Sequence, residues 1–372
     1  MNLKSLILSS DEKTVRILRR VLSDLEITVD HCSSSDDAVR RLTRQRFEAI
    51  IVDCSDPKNA KDVLLAAKAA PVNKRALCIV LVEANVGLKG GFEMGAHFVL
   101  HKPLAVERTK GSFRAVRALM KSERRLQMRV PVQVPVSCLG TGRYEAKTLD
   151  LCEGGMAIRF IGRVAKETAL RFSLELPGMG EKLEIWGELA WEGDEERAGV
   201  RFKNITDGER ALLRKWLNNQ LAEPVQDDPP LVCRLTDLSL GGCYVTTGSP
   251  FPNCTRVILS IRSGEKQVRA GGVVRIAHPE YGMGIEFFQA TPEQQDQVQK
   301  MIEALRVRGE SPELQVEPDG LEAASPEEVL ASASTTRLED ALVELFRQPV
   351  QVPAEEFMLQ MKQQRNLQET SH

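Results

Sequence analysis

The sequence predicts a multidomain protein: a doubly wound α/β module on a parallel five-stranded sheet, two small antiparallel β-barrels each ending in a helix, and a mostly disordered tail. Three observations carry this expectation. Residues 1 to about 118 alternate short apolar runs with amphipathic stretches, closely spaced alternating strands punctuated by glycine follow from about 123, and that second segment repeats itself. At 372 residues the chain is too long for one ordinary core, and 42% hydrophobic with 27% charged content is the composition of a folded protein.

In the first module, Leu6-Ile7-Leu8, Ile27-Thr28-Val29, Ala49-Ile50-Ile51-Val52, Cys78-Ile79-Val80-Leu81-Val82 and His97-Phe98-Val99-Leu100 have the form of buried parallel strands. Between them Val15, Leu18, Leu22 and Leu25 fall at helical spacing, as do Ala38, Val39 and Leu42. Five βα units wind a sheet whose functional edge lies at the carboxyl ends of its strands. The last helix runs from about Val106 through Phe113, Val116, Leu119 and Met120, with almost no linker before Arg124.

The repeat is legible in four places. Asp150-Leu-Cys-Glu-Gly-Gly155 corresponds to Asp237-Leu-Ser-Leu-Gly-Gly242, Gly187-Glu-Leu-Ala-Trp191 to Gly272-Val-Val-Arg-Ile276, Gly199-Val-Arg-Phe202 to Gly284-Ile-Glu-Phe287, and Thr206 to Thr291. Thr206-Asp-Gly-Glu209 and Thr291-Pro-Glu-Gln294 are capping-box signals for a helix closing each copy. The expected domains are 1–118, 123–222 and 226–307. From 308 to 372 the composition turns to Glu, Ser, Pro, Ala and Gln, a low-complexity tail. Within it Leu338, Ala341, Leu342, Leu345 and Phe346 form a short amphipathic stripe stopped by Pro349, suited to docking on the barrels or to binding a partner.

Fifty basic residues against fifty-two acidic ones give a net charge of −2, which argues against a global grip on nucleic acid or membrane. No apolar run reaches the roughly eighteen residues a spanning helix needs. The eight cysteines form no C-x-x-C or His-flanked cluster, which argues against zinc and for reduced thiols in a cytoplasmic protein. No Ser/His/Asp or Cys/His pair suggests itself and no glycine-rich turn carries a phosphate-loop lysine, so an enzyme is not expected.

Asp53 ends the third strand with Pro57 four residues on, Lys102-Pro103 follows the fifth, and Asp11 lies just beyond the first. In these features the first module resembles the receiver domain of two-component response regulators. The resemblance implies that Asp53 is the phosphoacceptor, that Asp11 and Asp53 hold magnesium, and that Lys102 pairs with the phosphoryl product. Ser10 replaces the first member of the family's acidic pair and Val82 the hydroxyl residue after the fourth strand. Two readings stay open: a phosphorylation-dependent regulator acting through Asp53, and a degenerate site in which Asp11, Asp53 and Lys102 form a local charge cluster.

Arg124-Arg125-Leu-Gln-Met-Arg129 is followed by Asp150, Cys152 and Gly155. An R-x-x-x-R pair ahead of D/N-x-S-x-x-G resembles the PilZ family, and both repeats are similar to it over nearly their whole length. The resemblance implies a bacterial second-messenger receptor for cyclic di-GMP with a flexible arginine loop. The chemistry fits: arginine forks bind phosphate and guanine O6/N7, an ionised aspartate accepts from guanine N1–H and N2, glycine 155 lets backbone approach the base, and the polar residue at 152 orients ligand or aspartate. Cys152 stands in for the family serine, costing about 0.5–1.5 kcal/mol for one neutral hydrogen bond. The second repeat keeps Asp237, Ser239 and Gly242, yet an acidic stretch, Glu223-Pro-Val-Gln-Asp-Asp-Pro-Pro230, replaces the arginines. Its motif is expected to survive as a tight turn, the domain serving packing or homodimerisation.

The expectation is a non-enzymatic bacterial signalling adaptor that binds cyclic di-GMP through Arg124, Arg125, Arg129, Asp150, Cys152 and Gly155 and passes the signal by protein contact. The alternatives are the phosphorylation-dependent regulator and a ligand-free scaffold. The last helix of the first module and the arginine segment are expected to be mechanically continuous.

Overall fold

The computed structural model describes residues 3–322 apart from 84–86, 141, 162–169, 195, 204, 222–225, 264–265, 280, 290 and 308–312. The amphipathic stripe at 338–346 lies outside the described residues. Residues 1–322 form one compact unit.

The first module runs β1 (Leu3–Leu8), α1 (Glu12–Asp24), β2 (Ile27–Cys32), α2 (Ser35–Arg44), β3 (Ala49–Asp53), α3 (Pro57–Ala69), β4 (Leu77–Val82), α4 (Gly87–Glu93), β5 (Phe98–His101) and α5 (Val106–Gln127). Its strands form a parallel sheet of order β2-β1-β3-β4-β5. β3 and β4 are buried along their whole length, which is why they read as unbroken apolar runs. Helix starts follow capping chemistry: Asp11 accepts from Lys13 N, and Asp56, ahead of Pro57, accepts from Lys58 N. One face of the sheet packs Leu6, Val52 and Val80 against Leu42 and Leu64. The other packs Ile7, Ile51 and Leu81 against Leu18, Phe113 and Val116, and this core is continuous with that of the second barrel.

No break separates the first module from the first barrel, since α5 is one helix from Val106 to Gln127. The barrel comprises β6 (Val130–Pro131), β7 (Pro135–Leu139), β8 (Arg143–Cys152), β9 (Gly155–Ile161), β10 (Leu170–Glu175), β11 (Lys182–Glu192), β12 (Arg197–Lys203) and α6 (Asp207–Gln220). The ring β8-β7-β10-β11-β12-β9 closes by β9 pairing back on β8, with β6 beside β8. Its core, centred on Phe172, Ile158 and Leu183, is separate from the shared one. The Thr206–Glu209 capping box forms as expected.

The second barrel contains β13 (Leu231–Leu238), β14 (Gly242–Thr246), β15 (Thr255–Ser263), β16 (Lys266–His278), β17 (Gly282–Phe287), α7 (Pro292–Val307) and β18 (Glu313–Leu321). Its ring order is β13-β14-β17-β16-β15-β18. Here the expectation needs correction: residues 313–321, assigned by composition to the tail, are a barrel strand. β18 pairs antiparallel with β13 and β15 just as β7 pairs with β8 and β10, so the place filled before the motif in the first barrel is filled after the helix in the second. Leu314 and Val316 point into the core while Gln315 faces outward, a period of two too short to stand out in a polar stretch. Among the described residues no helix is long and apolar enough to cross a membrane.

Candidate functional site

Helix α5 carries Arg124 and Arg125 in its last turn, so these two are helical rather than part of a flexible loop; only Arg129 lies beyond the helix. Arg124 Nη1 donates to Glu48 Oε1 at 3.0 Å, a buried carboxylate of the first module. Arg125 is buried and pairs with Glu153 (Nε to Oε2, 3.3 Å) and with Asp227. Burial pulls its pKa below the usual guanidinium value, and the charge of Glu153 counters this. Arg129 Nη1 donates to Asp150 Oδ1 at 2.5 Å at the surface, and the same oxygen accepts from Ala157 N. The sequence-predicted residues are thus split: Arg129 and Asp150 meet, while Arg124 and Arg125 are held by acids outside that pair.

The motif turn is built from within. Cys152 Sγ donates to Gly155 O at 3.2 Å, as Ser239 Oγ donates to Gly242 O at 3.0 Å. Cys152 therefore closes the turn instead of orienting Asp150, and burial raises its thiol pKa. A Cβ on Gly155 would collide with the Val200 carbonyl, and one on Gly242 with the Ile285 carbonyl. Glycine here answers the close approach of the neighbouring strand, a requirement the sequence alone does not display.

Strand register places Asp150, Ala157, Gly199 and Trp191 opposite one another across β8, β9, β12 and β11. Met156 and Ile158 point into the core, so the row faces outward. Ala157 and Gly199 leave a nearly flat floor between the Asp150 carboxylate and the half-exposed Trp191, whose indole lies over Gly199. At about 4.8 Å per strand the row spans roughly 14 Å between backbones, with Ala157 and Gly199 themselves buried. Trp191 was visible in the sequence only as part of the repeat, because nothing in its spacing says that a fold brings it opposite Asp150.

In the second barrel the same row is Asp237, Tyr244, Gly284 and Ile276. Tyr244 fills the floor and its hydroxyl lies 3.0 Å from His278 Nδ1. Asp237 Oδ1 accepts from Leu238 N. The acidic linker serves the first barrel and α5: besides Asp227 on Arg125, Asp228 Oδ1 accepts from Lys121 Nζ at 2.7 Å and faces Arg117 at 3.4 Å.

At the carboxyl edge of the sheet, Asp53 accepts from Ser9 Oγ (2.7 Å), Ser55 Oγ (3.1 Å) and Lys102 Nζ (2.8 Å). Burial is the largest single influence and opposes the Lys102 charge, but the bond to Asp53 together with the charges of Asp53, Glu83 and Asp11 outweighs it and holds the pKa above the usual lysine value. Asp11 does not join them. Its carboxylate accepts from Lys13 N and from Thr14 Oγ1 at 2.6 Å, the latter bond chiefly lowering its pKa. Among the described residues no three His, Cys, Asp or Glu side chains form a group able to hold a metal ion, and the expected magnesium (Mg) pair, Asp11 and Asp53, makes its hydrogen bonds to different partners.

Residues 123–219 and 218–304 each match the family model described as PilZ domain. The chain carries two PilZ domains in tandem. PilZ domains imply signalling of the adaptor type with cyclic di-GMP as ligand. No curated protein matches the chain. Among solved structures, the receiver domain of a sensor histidine kinase from Pseudomonas aeruginosa is 21% identical, covers 32% of this chain and 98% of its own, and gives a TM-score of 0.29. The PilZ domain of CeSA from a cellulose-synthesizing bacterium is 19% identical, covering 26% of this chain and 100% of its own, with a TM-score of 0.22. A response regulator from Thermotoga maritima is 12% identical over 32% of this chain and 99% of its own, at a TM-score of 0.29.

Proposed function

We propose that the protein is a non-enzymatic signalling adaptor whose first PilZ domain binds cyclic di-GMP and whose output passes by protein contact. The observation that supports this reading is the outward row of the first domain, with an acceptor carboxylate at one end, an indole at the other and no side chain larger than a methyl between them. A guanine edge donates N1–H and N2–H to a carboxylate, and its face stacks on an indole. Arg129, already at Asp150, supplies a fork for phosphate or for O6/N7. The second PilZ domain, with Tyr244 over its floor, binds no ligand alone in this reading.

A second reading is favoured by a separate observation. Arg124 and Arg125 are engaged by Glu48, Glu153 and Asp227, as they would be in a ligand-free scaffold whose arginines serve as ties between modules. Isothermal titration of the full-length protein with cyclic di-GMP separates the two. The receptor reading expects saturable binding, lost by about a hundredfold or more in the Arg125→Ala, Arg129→Ala double variant, since charge-assisted bonds are worth about 1.5–3 kcal/mol each. Trp191→Ala is expected to weaken binding by about fivefold to a hundredfold, given about 1–3 kcal/mol for base stacking. Absence of heat at saturating ligand, with the double variant losing only thermal stability, identifies the scaffold.

A further inference from the structure

We infer that Asp227 and Glu153 set the affinity of the first PilZ domain by competing with the ligand's phosphates for Arg125, and that Arg214 governs how readily they give it up. The inference rests on the receptor reading and adds a built-in competitor to it.

Two cations share these two acids. Arg125 faces Glu153 and Asp227, and Arg214 on α6 reaches the same pair, donating from Nη2 to Glu153 Oε1 at 2.5 Å and from Nη1 to Asp227 Oδ2 at 3.5 Å. Arg210 stands a further 4.0 Å from Glu153 and is itself tied to Asp319. Glu153, 5% exposed, lies inside the motif turn three residues after Asp150, and Arg125 lies four residues before Arg129.

Releasing a buried ion-pair partner is costly when it strands the other charge. Here it does not. When Arg125 leaves, Glu153 keeps Arg214, and the repulsion between the two guanidinium groups is relieved. Arg214 is thus the replacement partner that makes Arg125 available to an anion. Asp227 is half-exposed and pulls the other way, keeping Arg125 in the ligand-free arrangement. A ligand that needs Arg125 binds with an apparent affinity scaled by the fraction of molecules in which that side chain is free.

The two residues therefore have opposite signs. Titration of the full-length protein with cyclic di-GMP, with melting temperatures recorded alongside, compares the wild type with Asp227→Asn and Arg214→Gln. Asp227→Asn is expected to bind about three- to tenfold tighter, the scale of a partly screened charge pair. Arg214→Gln is expected to bind about tenfold weaker or worse, because releasing Arg125 then strands Glu153. A response to ligand in Asp227→Asn stronger than in the wild type supports the inference even where Arg214→Gln fails to fold. If the wild type binds and Asp227→Asn binds equally or more weakly, or both variants shift affinity in the same direction, the competition is overturned and the receptor reading stands. If neither the wild type nor Asp227→Asn binds, the receptor reading fails and the competition falls with it.

Discussion

Just before β5, His97 Nδ1 accepts from Cys78 N at 2.9 Å, and its carbonyl accepts from Asn253 N of the second barrel at 3.1 Å. The ring must be neutral at Nδ1 to accept. Burial, with the charge of Lys68 adding to it, pushes its pKa down to about 4. A folded value below the ordinary one of about 6.5 means that the unfolded chain takes up a proton first as pH falls. Stability from this group is therefore complete above about pH 6.5 and lost progressively down to about pH 4. The loss reaches up to about 3 kcal/mol, less whatever solvent still screens at the ring's edge. Urea unfolding at pH 7 and pH 5 is expected to show a larger drop for the wild type than for His97→Asn, which keeps an acceptor and cannot titrate. Equal drops would remove His97 as the cause. Asp53 is a different case at the same scale. Its place at the end of β3 was legible from sequence, but its hydroxyl partners were not: Ser9 and Ser55, in no expected role, make the contacts, while Asp11 turns to cap α1. Residue type fixed what Asp11 can do, and only the helix start decided what it does.

Elements were legible where burial imposes a pattern. Strands buried on both faces gave apolar runs, and the duplicated motifs announced two barrels before any pairing was known. β18 escaped because Leu314, Val316 and Leu321 are its only large apolar side chains among acidic neighbours, and because the second barrel takes this strand from the opposite end of its domain. The arginine segment shows the complementary limit. Its residues were evident, but their partners Glu48, Glu153 and Asp227 come from separate elements, and no local pattern pairs them. β18 also makes a specific energetic claim. Three buried apolar side chains at about 1.5–3 kcal/mol each, and the hydrogen bonds of two strand edges, depend on it. Truncation after Val307 is expected to destabilise the second barrel by about 5 kcal/mol or more, whereas truncation after Glu322 leaves it intact. Chemical denaturation of the two truncated chains measures the difference, and equal midpoints would mean that β18 contributes nothing to closure.

Across the whole molecule the cores do not follow the order of the chain. The second barrel, last in sequence, shares one apolar cluster with the α1 and α5 face of the first module, while the first barrel between them keeps a core of its own. Helix α5 is the common spine. Gly111 brings it close enough to the second barrel that a Cβ would lie 3.2 Å from the Gly248 carbonyl. The buried carboxylate of Glu123 accepts from Arg75 Nε of the first module at 2.7 Å and from Leu321 N of β18. The first barrel is joined to this assembly by ion pairs of Arg125 with Glu153 and of Arg210 with Asp319, point contacts that couple less strongly than a continuous apolar core. The first module and the second barrel should therefore unfold together, and the first barrel on its own. The three tryptophans make this readable, since Trp186, Trp191 and Trp216 all belong to the first barrel and its helix. Leu259→Ala in the second barrel removes a fully buried side chain, at a cost of about 2–5 kcal/mol. It is expected to lower the denaturation midpoint seen by far-ultraviolet circular dichroism, which follows the helices of the first module, and to leave the tryptophan fluorescence midpoint in place. If both midpoints fall by the same amount, the ion pairs bind the first barrel as tightly as a shared core would, and any ligand-driven movement of that barrel must be sought within it.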